Sequence, residues 1–599
     1  MDKNNLGIIK DMAKLFSATI LSGLFFTGCV DMDLTPKNQP SEGEVWADAT
    51  MAEQTVTGLY NGLNHLYNDN YNMWFDCFSA VMDRDANWRN FGMLFGNQTT
   101  SGDGPSWIWH DNYKFIIRCN DVIANMPDVV GLPEAKKARL IAEAKFLRSY
   151  WYYELNLLFG GVPYYTEPIK NIEEAKGSRL SMTDLWNELI KDLTDCINEP
   201  NLPDKYNSGD NDYGHITKGA AYALRGKIYL WLENWGAAEA DFKKVGDCGY
   251  RLFTSGANAY KMLFKEVNEQ CDEMIFSVQC IEEDGYWNSK NRGFGNRCTY
   301  GSMWNNYLVN PDFVDTYECA DGSKFDWSKI IPEYYKLTES EIANAKEQGA
   351  NMDYYLPSGN EARIRKAYEQ RDPRLEMSVI TPYATYLGGD GGADNYFTNR
   401  YPFRSQWIET QNADGTITRE ASDLRTDTQA MFYYLNRKFV TEGVGEGSQK
   451  GTGIDMPKIR YADVLLNLAE ALNEQGKIDE AVTVVNQVRA RAGAQLLNSN
   501  VPTTVMGQAD MRERIRNERY WELLGEDLIY FDELRWKTWK DKKFATYDDN
   551  GKQVVNGLRQ VWGQATYHYA WGGDHYWLYP IPYNETQMNP NMEQNPGWK

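Results

Sequence analysis

The chain has 599 residues, 62 Lys+Arg against 84 Asp+Glu and a formal net charge of −22, which excludes a nucleic-acid binder because that footprint is basic. A mean hydropathy of −0.61 excludes a polytopic membrane protein, and a 42% hydrophobic fraction supports a large folded body rather than a disordered one. Only 5 His leave little room for His-based metal or acid–base chemistry, whereas 20 Trp and 39 Tyr against 23 Phe give the aromatic surface a polar handle suited to wet interfaces.

Residues 1–28 read as a processing segment. Lys3, Lys10 and Lys14 make a positive start. The apolar stretch 15–26 is too short to span a bilayer, which needs roughly 20 such residues. It runs into Thr27-Gly28-Cys29, which resembles a bacterial lipoprotein signal whose Cys thiol is acylated and becomes the new N-terminus. Cys29 is the candidate lipidation residue; acyl chains at about 0.8 kcal/mol per buried CH₂ anchor a soluble body firmly. An ordinary signal peptide with an incidental Cys is the plainer alternative. Residues 29–45, with Asp31 and Asp33, follow as an acylated polar tether.

Over 133–159, Leu140, Ala144, Leu147, Trp151, Leu155 and Leu158 fall on one helical face. Ser181 with Asp184 three residues on marks the next helix start. Residues 217–245 read as a helix–turn–helix, with Ala221, Leu224, Ile228 and Leu232 on the first helix and Ala238 and Phe242 on the second, the small-x-x-x-aromatic spacing of tetratricopeptide pairs. The pattern returns over 459–493, where Gly476 separates a stripe of Tyr461, Val464, Leu465, Leu468 and Leu472 from one of Ile478, Ala481, Val482, Val485 and Val488. Neither helix of such a pair buries its stripe alone, so the pairs stack. The fold class is an all-α, tetratricopeptide-like superhelix. The expected organisation is an N-terminal region 46–250 with helical repeat pairs, an irregular insert 251–457 carrying binding loops, and a C-terminal region 458–599 with the last repeat pair and a coil-rich end. An aperiodic insert of that size is no simple connection, and loops held on a rigid scaffold are where binding sits. The eight cysteines beyond Cys29 show no CxxC pair or zinc spacing; isolated thiols are the expectation, with Cys271/Cys280 and Cys298/Cys319 left open as pairs.

The chain resembles the SusD/RagB family of surface glycan-binding lipoproteins. The resemblance rests on ordered blocks: Arg139-x-x-Ala142-Glu143-Ala144-x-Phe146-Leu147-Arg148, Phe159-Gly160-Gly161-Val162-Pro163, Arg371-Asp372-Pro373-Arg374-Leu375, Arg460-Tyr461-Ala462-Asp463, Ala469-Glu470-Ala471, Asn486-x-Val488-Arg489-x-Arg491-Ala492-Gly493, Glu518-Arg519-x-x-Glu522-Leu523, Asp532-x-x-Arg535-Trp536, Pro580-Ile581-Pro582 and Gln594-Asn595-Pro596-Gly597. It implies a protein that binds oligosaccharide or polysaccharide at the cell surface without cleaving it. Such a protein sits, lipid-anchored in the outer membrane, as the lid of a SusC-like TonB-dependent transporter. The blocks themselves read as structural: Arg148, Glu143, Glu470, Arg489 and Glu518 are expected in helix-to-helix ion pairs.

A pyranose offers a C–H face to an indole or phenol ring and a hydroxyl rim to planar polar groups. Two aperiodic segments combine both residue types, 83–90 and 286–307, and the resemblance places ligand residues in about these regions. The candidates are Asp83, Arg84, Trp88, Arg89, Tyr286, Trp287, Asn288 and Trp304. Trp151 and Trp231 lie on helix stripes and read as packing, and Trp107 and Trp109 as plugs at a helix end. No cofactor is expected; Asp83 and Asp85 offer Ca²⁺ two ligands, far short of a full oxygen shell. A secreted glycoside hydrolase is the competing class, needing two carboxylates of which one has a raised pKa, but HExxH, GxSxG, GxxxxGK[ST] and GxGxxG are absent. A lid for peptide uptake is the third reading; a peptide groove would be apolar or an open sheet edge. Ring contacts of roughly 0.5–1.5 kcal/mol each must overcome the ordering of a flexible glycan. Affinities should therefore lie between high micromolar and millimolar, and calorimetry giving a nanomolar constant for any glycan would contradict this.

Overall fold

The computed structural model describes residues 41–67, 75–84, 92–101, 105–283, 285–296, 298–299, 303–332, 336, 338, 340, 361–389, 394–398, 407–411, 413–414, 417–421, 434–445, 451–545 and 569–598. The readings on 1–28, Cys29, Asp85, Trp88 and Arg89 lie outside them. The helices that build the frame are α1 (Ala49–Tyr67), α2 (Ser106–Asn125), α3 (Glu134–Phe159), α4 (Met182–Asn198), α5 (Lys218–Trp231), α6 (Trp235–Asp247), the short α7 (Lys290–Phe294), α8 (Tyr461–Glu474), α9 (Ile478–Ala492), α10 (Gln508–Leu523) and α11 (Ile529–Arg535). From α1 to α6 each of these helices packs on the next in sequence; α8 then packs on α6, with α9 and α10 on α8. The stack of helical pairs is therefore continuous in space although more than two hundred residues separate α6 from α8 in the chain.

The expected stripes are the buried faces. In α3 all six stripe residues are buried, but so are Phe146, Tyr150, Tyr152 and Tyr153 on other faces, because α1, α2, α4 and the bonded loops enclose this helix. Ser181 Oγ caps α4, accepting from the Asp184 N–H at 3.0 Å. Trp151, Trp109 and Trp186 are core residues, and Trp231 packs on the core. Among the described residues no disulfide joins the cysteines.

One element differs from the sequence reading. Ile459 and Arg460, placed at the start of a helix, lie instead in a strand. Four strands matter here: β1 (Met82–Arg84), β2 (Met274–Val278), β3 (Tyr307–Val309) and β4 (Met456–Arg460). β4 runs antiparallel to β2, with Met456 opposite Val278 and Arg460 opposite Met274, and every residue of both strands is buried. This pair clamps together the two ends of the long excursion from the helical stack.

The clamp is locked by buried charge. Arg460 reaches Glu273 at 2.8 Å, Glu522 at 2.7 Å and Glu526 at 2.7 Å. Arg491 of α9 pairs with Glu273 at 2.9 Å and also with Glu522. Arg374 pairs with Asp372 at 2.6 Å, Glu518 at 2.6 Å and Glu522 at 3.2 Å. The expected helix-to-helix pairs are present as Arg148–Asp192 between α3 and α4, Arg489–Glu518 between α9 and α10, and Glu470–Arg535 between α8 and α11. Glu143 differs in kind: it takes the Tyr60 hydroxyl at 2.8 Å and stands 2.8 Å from His215 Nδ1.

Burial alone would raise the Glu522 carboxyl, yet Arg491, Arg460 and Arg374 hold it down at about 2. Asp463, against Lys227 and Arg519, is likewise held at about 2 despite burial. A carboxyl depressed in the fold contributes stability that is complete above its unfolded value and lost as pH falls through its folded one. The urea midpoint should therefore drop as pH goes from about 4.5 toward 2; a flat midpoint over that range would contradict it. Glu522→Gln should cost about 3–5 kcal/mol in denaturant unfolding, since it strips the charge on which three buried guanidiniums converge.

Candidate functional site

The two segments singled out in the sequence are brought side by side by a strand pair. β1 runs antiparallel to β3, with Met82 opposite Val309 and Arg84 opposite Tyr307, and the Arg84 guanidinium lies 5.3 Å from the Tyr307 ring centroid. β3 follows directly from the stretch that carries Trp304.

That stretch is clipped to α7 by backbone hydrogen bonds. Met303 N–H donates to the Asn296 carbonyl at 3.0 Å, Trp304 N–H to the Arg292 carbonyl at 3.0 Å and Asn306 N–H to the Gly293 carbonyl at 2.8 Å. Gly293 permits the approach, because a Cβ there would stand 2.5 Å from the Tyr307 ring. Asn305 bends the chain with φ +48, a left-handed conformation that Asn tolerates better than most residues. The result holds the backbone of Trp304 while leaving its side chain open: Met303 and Asn305 are buried, but Trp304 is 52% exposed. The Arg292 guanidinium lies 5.2 Å from the Trp304 ring centroid.

The other candidates on this segment divide. Tyr286 is 48% exposed at the end of a tight loop, closed by Ile281 N–H to the Tyr286 carbonyl at 2.9 Å. Trp287 is half-buried against Gly451, where a Cβ would come 2.5 Å from the indole. Asn288 is fully buried. Its N–H donates to the Thr452 carbonyl at 2.8 Å, its Nδ2 to the Ile454 carbonyl at 2.9 Å and its Oδ1 accepts from Lys290 N–H at 2.9 Å. The expectation that Asn288 meets ligand is thus corrected: it ties the start of α7 to the 452–454 chain.

Asp83 is corrected in the same way. It is 1% exposed, and its carboxylate takes Lys543 Nζ at 2.7 Å, the Tyr569 hydroxyl at 2.8 Å and Asn310 Nδ2 at 2.6 Å. Those bonds occupy the oxygens offered to Ca²⁺, and among the described residues no group of three or more His, Cys, Asp and Glu side chains is placed to hold a metal. The alternation of a strand explains the outcome: Asp83 and Arg84 point to opposite faces of β1, so only one of the two faces outward. Arg292 and Tyr307 lie inside the 286–307 segment but are not among the candidates, since nothing in the sequence sets them apart within it. Their places beside Trp304 and Arg84 come from the clip and the strand register.

A second concavity of about 560 Å³ lies along Ser208, Lys265, Glu266, Val267, Glu269, Gln270, Gly445 and Ile454. Burial lifts the Glu269 carboxyl to about 7, with the Glu266 charge adding to the effect and the Asp455 N–H opposing it. Among the described residues its walls carry no aromatic ring for stacking. Of the described candidates, the exposed rings are Trp304 and Tyr286.

Replacing Asp83 by Ala should leave the buried Lys543 ammonium without its carboxylate and lower stability by about 3–5 kcal/mol in denaturant unfolding. A variant as stable as the parent that had lost ligand would instead make Asp83 a contact residue.

The family model described as the SusD family matches residues 272–598, and a second, described as starch-binding and associating with the outer membrane, matches residues 33–230. The chain is 23% identical over 491 residues to SusD-like protein P25 of Formosa agariphila, covering 80% of this chain and 77% of that one. It is 23% identical over 492 residues to the starch-binding protein SusD of Bacteroides thetaiotaomicron, covering 78% and 74%. A solved SusD-like carbohydrate binding protein from Bacteroides fragilis superposes with a TM-score of 0.68 at 22% identity, covering 92% of this chain and 100% of that one.

Proposed function

The chain belongs to the SusD family, outer-membrane-associated carbohydrate binders rather than enzymes, and we propose that it captures a polysaccharide by aromatic stacking and passes it to a TonB-dependent transporter of the SusC type. The observation that carries the stacking is Trp304, a large ring half open to solvent on a backbone pinned by hydrogen bonds to α7. A ring fixed before the ligand arrives costs little ordering on binding. Its electron-rich face suits the weakly positive C–H face of a pyranose. The Arg292 guanidinium near it, and that of Arg84 on the Tyr307 ring of the following strand, supply N–H donors for the hydroxyl rim.

In this reading Tyr286 and Trp287 extend the platform from the other end of the 286–307 segment, and Trp88 and Arg89 belong to it through the chain that leaves β1 after Arg84. Acylated Cys29 and the tether 29–45 hold the body at the outer face of the outer membrane, where the transporter mouth takes the cargo. Weak, ring-based holding fits a protein that must release what it captures.

Trp304→Ala should weaken retention in a polysaccharide affinity gel by about tenfold, equivalent to about 1.4 kcal/mol, with unchanged circular dichroism. Retention equal to the parent's on every polysaccharide that binds the parent would place the sugar elsewhere.

A further inference from the structure

The charge arrangement beneath Trp304 points to a narrower cargo, an inference that rests on the glycan reading above. Acids outnumber bases in this chain, and buried arginines elsewhere are held by acceptors: Arg148 by Asp192 at 2.7 Å, Arg374 by Asp372 at 2.6 Å, Arg460 by Glu522 at 2.7 Å, Arg519 by Asp532 at 2.7 Å and Arg535 by Glu470 at 2.5 Å, and Arg371 by the Tyr317 and Val314 carbonyls at 3.0 and 2.9 Å. Arg292 is different. Among the described residues its guanidinium has neither an ion pair nor a hydrogen bond, and its Nε is buried without an acceptor. Its neighbour is the Trp304 ring, at 5.2 Å from the centroid.

Most of the unmet groups around it are donors. Asn291 Nδ2, Asn296 Nδ2 and Asn305 Nδ2 are also buried without an acceptor, and all three belong to α7 or to the chain clipped onto it. Asn305, next to the ring, is 0% exposed and lacks a partner on its carbonyl oxygen as well. A buried donor without an acceptor costs about 1–3 kcal/mol, so the α7 clip holds a surplus of N–H groups beside an open indole. A separation of 5.2 Å is wider than a close stack of about 3.5–4 Å. The guanidinium is thus close to the ring without being in tight contact with it, and a substituent of a sugar stacked on the indole can reach it. Its planar N–H fork matches the oxygens of a carboxylate or a sulfate, and charge-assisted bonds of that kind are roughly twice as strong as neutral ones.

We propose that the glycan bound at this site is anionic, with a uronic-acid carboxylate or a sulfate ester seated on the Arg292 guanidinium while the sugar ring stacks on Trp304. The −22 net charge opposes such a polymer over much of the surface, so holding it takes a local cation without an acidic partner, as Arg292 is.

The test is affinity electrophoresis of the full chain against matched polymers: polygalacturonate and its carboxyl-reduced form, chondroitin sulfate and its desulfated form, dextran sulfate and dextran, with polyglutamate as a non-sugar polyanion. The expected result is retention by at least one charged polysaccharide that falls tenfold or more on its neutralised partner. The same loss is expected in Arg292→Gln, with partial recovery in Arg292→Lys, and the carboxylate and sulfate arms identify which anion is read. Thermal melts of both variants check that the fold is retained, and Arg292→Lys keeps the comparison if Arg292→Gln unfolds. Neutral partners that bind as well as charged ones, with Arg292→Gln like the parent and Trp304→Ala defective, would overturn the anionic inference and leave the glycan reading intact. Equal retention by polyglutamate would also overturn it, as unspecific charge. No retention by any polysaccharide, neutral or charged, would overturn both.

Discussion

Glu522 is the point on which three guanidiniums from three separate stretches of chain converge: Arg374 from the long excursion, Arg460 from the strand that closes it, and Arg491 from the last helical pair. None of these four groups is exposed. A buried pair of this sort is weak evidence of net stability, because desolvation offsets attraction, but breaking one partner is costly. Its effect here is geometric. The excursion leaves after α6 and returns at β4, and it can carry long irregular chain because its root is fixed by the β2–β4 ladder and by charges that tolerate few other placements.

That fixed root makes a shallow surface site workable. Trp304 is far in sequence from α6 and α8 of the helical stack, yet it inherits rigidity through a short series of contacts. Asn288 ties the start of α7 to the 452–454 chain just before β4. α7 in turn holds 303–306 by backbone bonds, and β3 pairs with β1. Each link is a hydrogen bond between buried or half-buried groups, so the ring's position follows from the core rather than from its own loop. The two candidates that proved to be interior, Asp83 and Asn288, are parts of this support.

The helical frame is legible along the chain because its information is local. The stripe of α3, the Ser181 cap and the Gly476 break are short-period signals, and the order of the Arg and Glu blocks is enough to mark both the family and the ion pairs. The start of α8 is not legible in this way, because Ile459 and Arg460 are drawn into β4 by pairing with Phe276 and Met274, partners more than 180 positions away. At the site, an exposed ring can be suspected from Trp304's aperiodic, Asn-rich setting. Side-chain direction cannot, since neighbours Asp83 and Arg84 differ in burial by strand alternation alone. Arg292 is one basic residue among many in the sequence; its place against the Trp304 ring and its lack of an acidic partner are set by the α7 clip.

The central claim is that carbohydrate is gripped on the outward indole of Trp304. A crystal structure of the chain with an oligosaccharide cut from a polymer it retains tests this most directly. The account predicts a pyranose ring lying parallel to that indole at van der Waals distance, with a substituent oxygen on the Arg292 guanidinium. A sugar bound in the ring-free groove along Glu266 and Glu269, with Trp304 bare, would contradict it.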